Sequence, residues 1–569
     1  MQLFTRNIVT ASAFSAAFLA GIYAAAAAPP ETPNRLRDLT LVEAKKAMSY
    51  VYEGKSRSAV AYLDSLSADC GEEPFYLLLK SRVARELLTI DDENKKRVIA
   101  DSEPIHRDLD RVIEVCTQRM DAAREANDDN VSGADQRWRL YRGLAWMSKS
   151  HLCSFAHRYW RAGRDAKKGK SDLERYLKTN PDDPLAMGTS GVFLYFADMI
   201  STVLKFFSKL VLMPTGDREK GLRYIATAAT EENVYQLDFQ LVQCSINLLF
   251  EGRHEDGLDS ATALLQQNRS YPRLAIPLAL IQPFSPFDVR RNAADIDEML
   301  LLFDKGGFDG LAESGVSVAT DGFSENGPGG SEQYVLALLY FLNAYADRFV
   351  APPDVAEEGL RRVADNISEG PDWIGAYAAF ELGRLLASQG RYEEARTVFS
   401  WVRQNQAAEF LRDDAEMMAR ALDNGARETI VLKPAWITGI YFGDPEEREI
   451  TTRELRSVSP PSTQTKFYLG DALLMAGDTD GALASYEDVL ELDADPWNEE
   501  FKMIAASRVA EIHGARGDFE AAAKSLDRAL RFYRKEYLVD WMLEGRRRYY
   551  QKLDDGKDLP LPRIFTPPR

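Results

Sequence analysis

A set of offsets recurs along this chain and limits what it can fold into. In 373–403, Ala379, Leu382, Gly383 and Leu386 share one helix face, Gly390-Arg391 makes a turn, and Ala395, Phe399 and Val402 form a second apolar stripe. The offsets return in 466–493 as Leu469, Gly470, Leu473, Gly477, Ala482, Tyr486 and Val489. They return again in 503–533 as Val509, Ala510, Gly517, Phe519, Ala522, Leu526 and Ala529. A helix pair this short cannot bury its apolar face alone, so the copies are expected to stack. Gly383 lacks a side chain and would let the second helix come close.

Eroded copies lie upstream. Asp238–Gln267 carries Leu248, Gly252, His254, Leu258 and Leu264, with Gly257 where the clearer copies have Ala. Ala44–Leu66 carries Ala47, Gly54, Ala59, Leu63 and Leu66. Leu173, Tyr176 and Pro181 read as the end of a further unit, and Gly216 to Ala228 as the second helix of another. These residues resemble the tetratricopeptide repeat, specifically over 372–533 and in degenerate form over 39–268. The resemblance implies an all-α fold: an α-solenoid of antiparallel helix pairs in two halves with an irregular interruption.

The chain divides on this reading into a signal peptide (1–28), a degenerate half (36–270), a Pro/Gly-rich interruption (271–333), a repeat half (334–545) with an excursion at 427–447, and a Pro-rich tail (546–569). Pro272, Pro277, Pro283 and Pro286 break the helical pattern. Asn292–Phe303 reads as a short amphipathic helix and Gly306–Gly330 as a loop. Tyr334–Arg348 and Val355–Asn366 read as the first helices of the repeat half. Within 429–445, Ile430-Val431-Leu432 and Trp436–Tyr441 read as short strands or an extended excursion.

Met1–Ala28 has the form of a secretory signal, with Arg6 at its start, an apolar run over Ile8–Tyr23, and small residues at Ala24–Ala28. It implies an exported, periplasmic protein; an uncleaved membrane anchor is the alternative. No Cys lies near the cut, so a lipid anchor is not expected. The net charge of −18 becomes −19 once Met1–Ala28 is removed, and such acidity argues against nucleic acid or anionic lipid as the main partner. Cys70, Cys116, Cys153 and Cys244 are too few and scattered for a disulfide framework.

Motifs for catalysis are not evident. Gly163–Ser171 (Gly-Arg-Asp-Ala-Lys-Lys-Gly-Lys-Ser) is one residue too long for a phosphate loop and follows Leu152–Ala162, which reads as helix rather than strand. It reads as a basic, solvated turn. Cys153 and His157 could share a helix face, but His151 points elsewhere and no third converging ligand is adjacent. No catalytic residue, metal or cofactor is assigned.

The expectation is therefore a non-enzymatic scaffold with a protein or peptide partner. By resemblance, the groove of such solenoids is lined by the first helix of each repeat. That places Tyr377, Phe380, Arg384 and Ser388, then Gln464, Phe467, Asp471 and Met475, then Ile504, Ser507, Glu511 and Ala515 on the binding face. Phe380 and Phe467 with Arg384, Asp471 and Glu511 make a mixed aromatic and charged groove, not a carboxylate clamp. The interruptions or the tail covering this face is the alternative.

A second expectation comes from Val192–Met213, whose apolar face is broad but interrupted by Asp198, Lys205 and Lys209, too polar to span a membrane. With Phe239, Val242, Leu249 and Phe250 it could wall a cavity for an apolar small ligand. Residues 209–229 also resemble the helical T-component of TRAP-type transporters. That makes a periplasmic accessory component of a substrate-capture transporter the runner-up function.

Overall fold

The computed structural model describes residues 38–53, 55–86, 95–125, 131–156, 158–199, 216–268, 271–284, 331–365, 373–405, 411–423, 433–492, 499–532 and 537–562, with 294, 296–298, 300 and 408. Residues 1–28, 200–215, 306–330 and 430–432, and the expectations placed on them, lie outside this set, as does His157. Regular structure among the described residues is helical, with no strand. None of these helices is long and apolar enough to cross a membrane. The described residues form two compact units. Residues up to Gln243, together with 331–334, make the first; the rest, from Cys244 onward, make the second. The sequence division had been placed within 271–333.

The first unit contains α1 (Leu41–Tyr52), α2 (Ser56–Ser65), α3 (Pro74–Glu86), α4 (Lys95–Glu125), α5 (Val131–Phe155), α6 (Tyr159–Leu177), α7 (Pro184–Met199) and α8 (Arg218–Thr230). Local chemistry starts several of them. Thr40 and Glu43 form a reciprocal capping box on α1, and Asp217 caps α8 by accepting from the backbone of Lys220. Ala44, Ala47, Ala59 and Leu63 are buried where α1 meets α2, as the eroded copy predicts.

Deeper in this unit the helices meet through glycine. A Cβ on Gly191 would lie 2.8 Å from the Gly221 carbonyl, and one on Gly221 equally close to the Gly191 carbonyl, so α7 and α8 touch backbone to backbone. A Cβ on Gly169 of α6 would lie 2.9 Å from the Gly143 carbonyl of α5, while one on Gly143 would meet the Leu173 side chain at the same distance. Here two expectations fail. Gly163–Ser171 is the interior of α6, not a turn, because Gly169 is needed for close packing rather than for a bend. Leu152–Ala162 is not one helix either: the chain breaks after α5 and restarts at Tyr159.

α9 (Gln236–Ser245), which belongs to the first unit as far as Gln243, runs into a π-turn of the second, Ile246–Phe250. Then come α10 (His254–Gln267), α11 (Ala275–Ile281), α12 (Ser331–Val350), α13 (Pro353–Asp365), α14 (Trp373–Ser388), α15 (Tyr392–Gln404) and α16 (Arg412–Asp423). After a helical segment at 434–442 follow α17 (Pro445–Ser457), α18 (Thr463–Met475), α19 (Thr479–Glu491), α20 (Glu499–Ala515), α21 (Phe519–Phe532) and α22 (Tyr537–Asp554). Consecutive helices pack as α14 on α15, α18 on α19, and α20 on α21.

The repeat register holds in these pairs. A Cβ on Gly383 would meet the Phe399 ring at 2.7 Å, and one on Gly470 the Tyr486 ring at 2.4 Å, while Ala395, Ala482 and Ala522 are fully buried. Gly477 turns between α18 and α19 at φ +84°, a conformation that an L side chain resists, and Gly390 and Gly517 repeat it.

Two interruptions differ from expectation. Trp436–Tyr441 is helical, as Pro434–Ile437 followed by a π-turn at Thr438–Phe442, rather than strand. Pro277 does not break α11, because it is the third residue of that helix, where its missing N–H costs nothing.

Candidate functional site

The first helices of the repeats carry the residues assigned to a groove, and the structure turns most of them inward. Phe467 and Asp471 are 0% exposed, Glu511 2%, Phe380 3%, and Tyr377 and Arg384 8%. Met475 is half-buried. Gln464, Ile504 and Ser507 are buried as well. These positions form interior, not a solvent-facing wall.

Three layers of charge explain how polar side chains survive there. Arg384, Asp471 and Glu511 occupy one repeat position, the residue after the small residue of each first helix. In the first layer Arg348 of α12 pairs with Glu381, Arg384 lies 3.6 Å from Glu381, and Arg384 also pairs with Glu500 of α20. In the second, Arg508 of α20 grips Asp471 at 2.6 and 2.8 Å, while Tyr441 and Tyr486 donate their hydroxyls to the same carboxylate. Arg508 also donates to the Pro283 carbonyl at 3.2 Å.

In the third layer Arg546 of α22 makes two bonds to Glu511, at 2.9 and 2.7 Å, and two to Glu255, at 2.7 and 3.1 Å. It donates further to the Gly252 carbonyl at 2.7 Å, and Tyr550 donates to Glu511 at 2.9 Å. Aromatic rings fill the space between: Phe467 and Phe501 centroids lie 5.1 Å apart, and Phe349 and Phe501 5.5 Å.

The covering groups come from the interruptions and from the end of the helical array. Tyr441 belongs to the 434–442 segment, Pro283 follows α11, Glu255 starts α10, and Arg546 lies on α22. An unpaired buried charge costs several kcal/mol, so each layer stands only with its cross-chain partners in place.

The electrostatics follow. Burial pushes the Asp471 and Glu511 carboxyls up, against the pull of Arg508 and Arg546. Burial acts on Glu255 too, but Arg546 overrides it and holds that carboxyl down at about 2. Among the described residues no such cation pairs with Asp347 of α12. Gln282 and Asn343 each donate an amide N–H to it at 3.3 Å, and burial, with Asp297 adding to it, pushes it up to about 8.

The other candidates for chemistry are placed plainly. Burial pushes His151 and His254 down to about 3 and His106 to about 4, so all three are neutral near pH 7. His151 Nδ1 sits 3.3 Å from Arg85, which disfavours a positive ring further. The four cysteines are buried and none is bridged. Among the described residues no group of three or more His, Cys, Asp or Glu is arranged to hold a metal ion. Phe239 fills the gap left by Gly188 and Ala228, packing rather than lining a space.

Residues 464–495, which span α18 and α19, match the tetratricopeptide repeat family. No curated protein sequence matches the chain. Among solved structures, the human IFIT1 dimer with m7Gppp-AAAA is similar over 86% of this chain and 95% of that one, at 14% identity and a TM-score of 0.29. Yeast Tom70 is similar over 90% and 89%, at 10% identity and a TM-score of 0.22. The P58(IPK) TPR domain is similar over 75% and 100%, at 13% identity and a TM-score of 0.17. The matched pair is the one built on the Gly470–Tyr486 contact and the Gly477 turn, and α14 with α15 repeats both features. The tetratricopeptide match is therefore to one helix pair of a tandem array of such pairs.

Proposed function

We propose that this chain is an exported, non-catalytic scaffold that binds another protein. The observation that carries the reading is the tandem array itself, α14–α15, α18–α19 and α20–α21, a repeat whose stacked helices present long, regular faces to a partner. Because the inner positions are occupied by the chain's own Arg–carboxylate layers, the partner is expected on outward helix faces. Crosslinking in intact cells, followed by identification of what co-purifies, tests the scaffold reading. A reproducible protein partner supports it, and a chain that is recovered alone speaks against it. Export is tested separately: N-terminal sequencing of the mature chain should give a start between Ala25 and Glu31, and a full-length chain held in salt-washed membranes would mean an anchor.

The runner-up remains an accessory component of a TRAP-type transporter that binds an apolar ligand. Of its supporting residues, Asp217 caps α8 by accepting from the backbone of Lys220, a role that any helix could use. Native mass spectrometry showing a bound lipid-like mass would favour that reading over the scaffold.

A further inference from the structure

The basic run Gly163–Ser171 lies on α6, and the helix sorts its charges. Trp160, Arg164, Lys167, Lys168, Ser171, Arg175 and Lys178 fall within about a quarter-turn of one another at 100° per residue, and all are exposed. Trp160, at 68%, is the more exposed of the two exposed tryptophans among the described residues. The acidic residues of the helix are turned away: Asp165 and Asp172 are buried, and Asp172 takes both ends of Arg142, at 2.8 and 2.9 Å. Glu174 at the edge is 3.5 Å from Lys170, which lies off the stripe.

Several other exposed helix faces among the described residues mix signs. Arg391 with Glu394, Arg396 with Glu393, Arg453 with Glu449 and Lys524 with Glu520 are pairs three or four residues apart. On α6 the same spacings put like charges together, Arg164 with Lys167 and Lys168 and Arg175 with Lys178, an arrangement that costs a few tenths of a kcal/mol per pair when nothing neutralises it.

We infer that the Trp160–Lys178 face of α6 is a docking surface for an acidic segment of a partner protein that carries an apolar residue for Trp160. This rests on the scaffold reading and names the class of its partner. Charge complementarity selects the occupant. The stripe is about 27 Å long and one helix wide, the reach of roughly eight residues of extended chain. Screening confines attraction to about 8–10 Å, so a narrow acidic segment meets only the stripe. A membrane plane or a duplex would also face the surrounding surface of a chain whose net charge is −18. Lys168 already stacks over the Trp146 ring at 3.8 Å and Arg164 lies 3.8 Å from the Asp165 carboxylate, which leaves Lys167, Arg175 and Lys178 as the main cations for the partner.

The test is a titration of the full chain with a fluorescein-labelled peptide of Glu and Asp interrupted by one Leu-Phe pair. The reverse-charge peptide, phosphatidylglycerol vesicles and duplex DNA run in parallel. The acidic peptide alone should bind, and more weakly as salt rises. Lys167→Glu with Arg175→Glu should weaken it at least about tenfold, the two neutral Gln changes by an intermediate factor, and Trp160→Ala by about threefold, all with unchanged melting temperatures. Equal binding by the charge-reversed chain, or preference for vesicles or DNA over the peptide, overturns the inference. The scaffold reading fails separately: if crosslinking recovers the same partner with the charge-reversed chain, the stripe alone is wrong, and if the normal chain recovers no partner, the scaffold is wrong.

Discussion

The repeat pairs of the second unit and the α5–α6 and α7–α8 pairs of the first bring helices close by different means. In the second, a glycine on one helix receives an aromatic ring from the next, Gly383 against Phe399 and Gly470 against Tyr486. In the first, glycines oppose one another, Gly191 with Gly221 and Gly143 with Gly169, and backbone meets backbone. A ring can shift by tenths of an ångström, whereas two helix backbones can separate only by moving whole helices. The α5–α6 and α7–α8 contacts should therefore tolerate added volume less well than the Gly383 and Gly470 contacts.

The strongest break in this comparison lies outside the glycines. Removing Arg546 strands Glu255 and Glu511 in the interior. Arg546→Leu is expected to cost about 3–5 kcal/mol in urea unfolding, whereas Arg453→Ala, which removes an exposed pair with Glu449, should change stability by no more than about 0.5 kcal/mol. Similar losses from both would mean that the third layer is not a closed network.

The glycine contacts come next. Gly221→Ala should cost about 2–3 kcal/mol and Gly470→Ala about 1–2 kcal/mol, within the range for overpacking. The reverse order in thermal or urea melts would contradict the contrast between the units. Ala395→Leu belongs with the second unit and should cost about 1–3 kcal/mol, while Glu393→Ala, at an exposed position, should be near neutral. Gly390→Ala should cost about 1 kcal/mol, because nothing lies within 4 Å and only the φ of +76° opposes the methyl group.

Acid and base should each weaken the second unit, through different carboxyls. Asp347 goes from its ordinary 3.8 to about 8 on folding, so between those values the folded chain holds a proton that the unfolded chain has released. Its contribution is complete below about pH 4 and is lost as pH rises to about 8. Glu255 goes from 4.5 to about 2, so its contribution is lost as pH falls across that interval. Urea midpoints measured across this range should show Asp347→Asn flattening the slope between about pH 4 and 8. An unchanged slope would mean that Asp347 is ionised in the fold.

The repeat half was legible because its helix contacts use residues that recur at fixed offsets: Gly383 and Gly470, Ala395 and Ala482, and the turn at Gly477. The first half was less so. Gly143–Gly169 and Gly191–Gly221 share no common offset with the repeat, and Gly169, set among lysines, reads as a turn. The candidate groove was misread for another reason. Arg384, Asp471 and Glu511 on an otherwise apolar face resemble binding residues, and only distant side chains, Glu500, Tyr441, Arg508, Arg546 and Glu255, reveal them as interior. No local pattern in the sequence announces a partner almost three hundred residues away, such as the one joining Glu255 to Arg546.

Hydrogen–deuterium exchange of the full chain tests most directly whether the chain itself closes the inner face of the repeats. Backbone amides of 434–442 and 275–284 should exchange as slowly as those of α18 and α20, against which they lie. Exchange of both segments within seconds, with α18 and α20 still protected, would mean an open groove and would contradict the closed array described for the second unit.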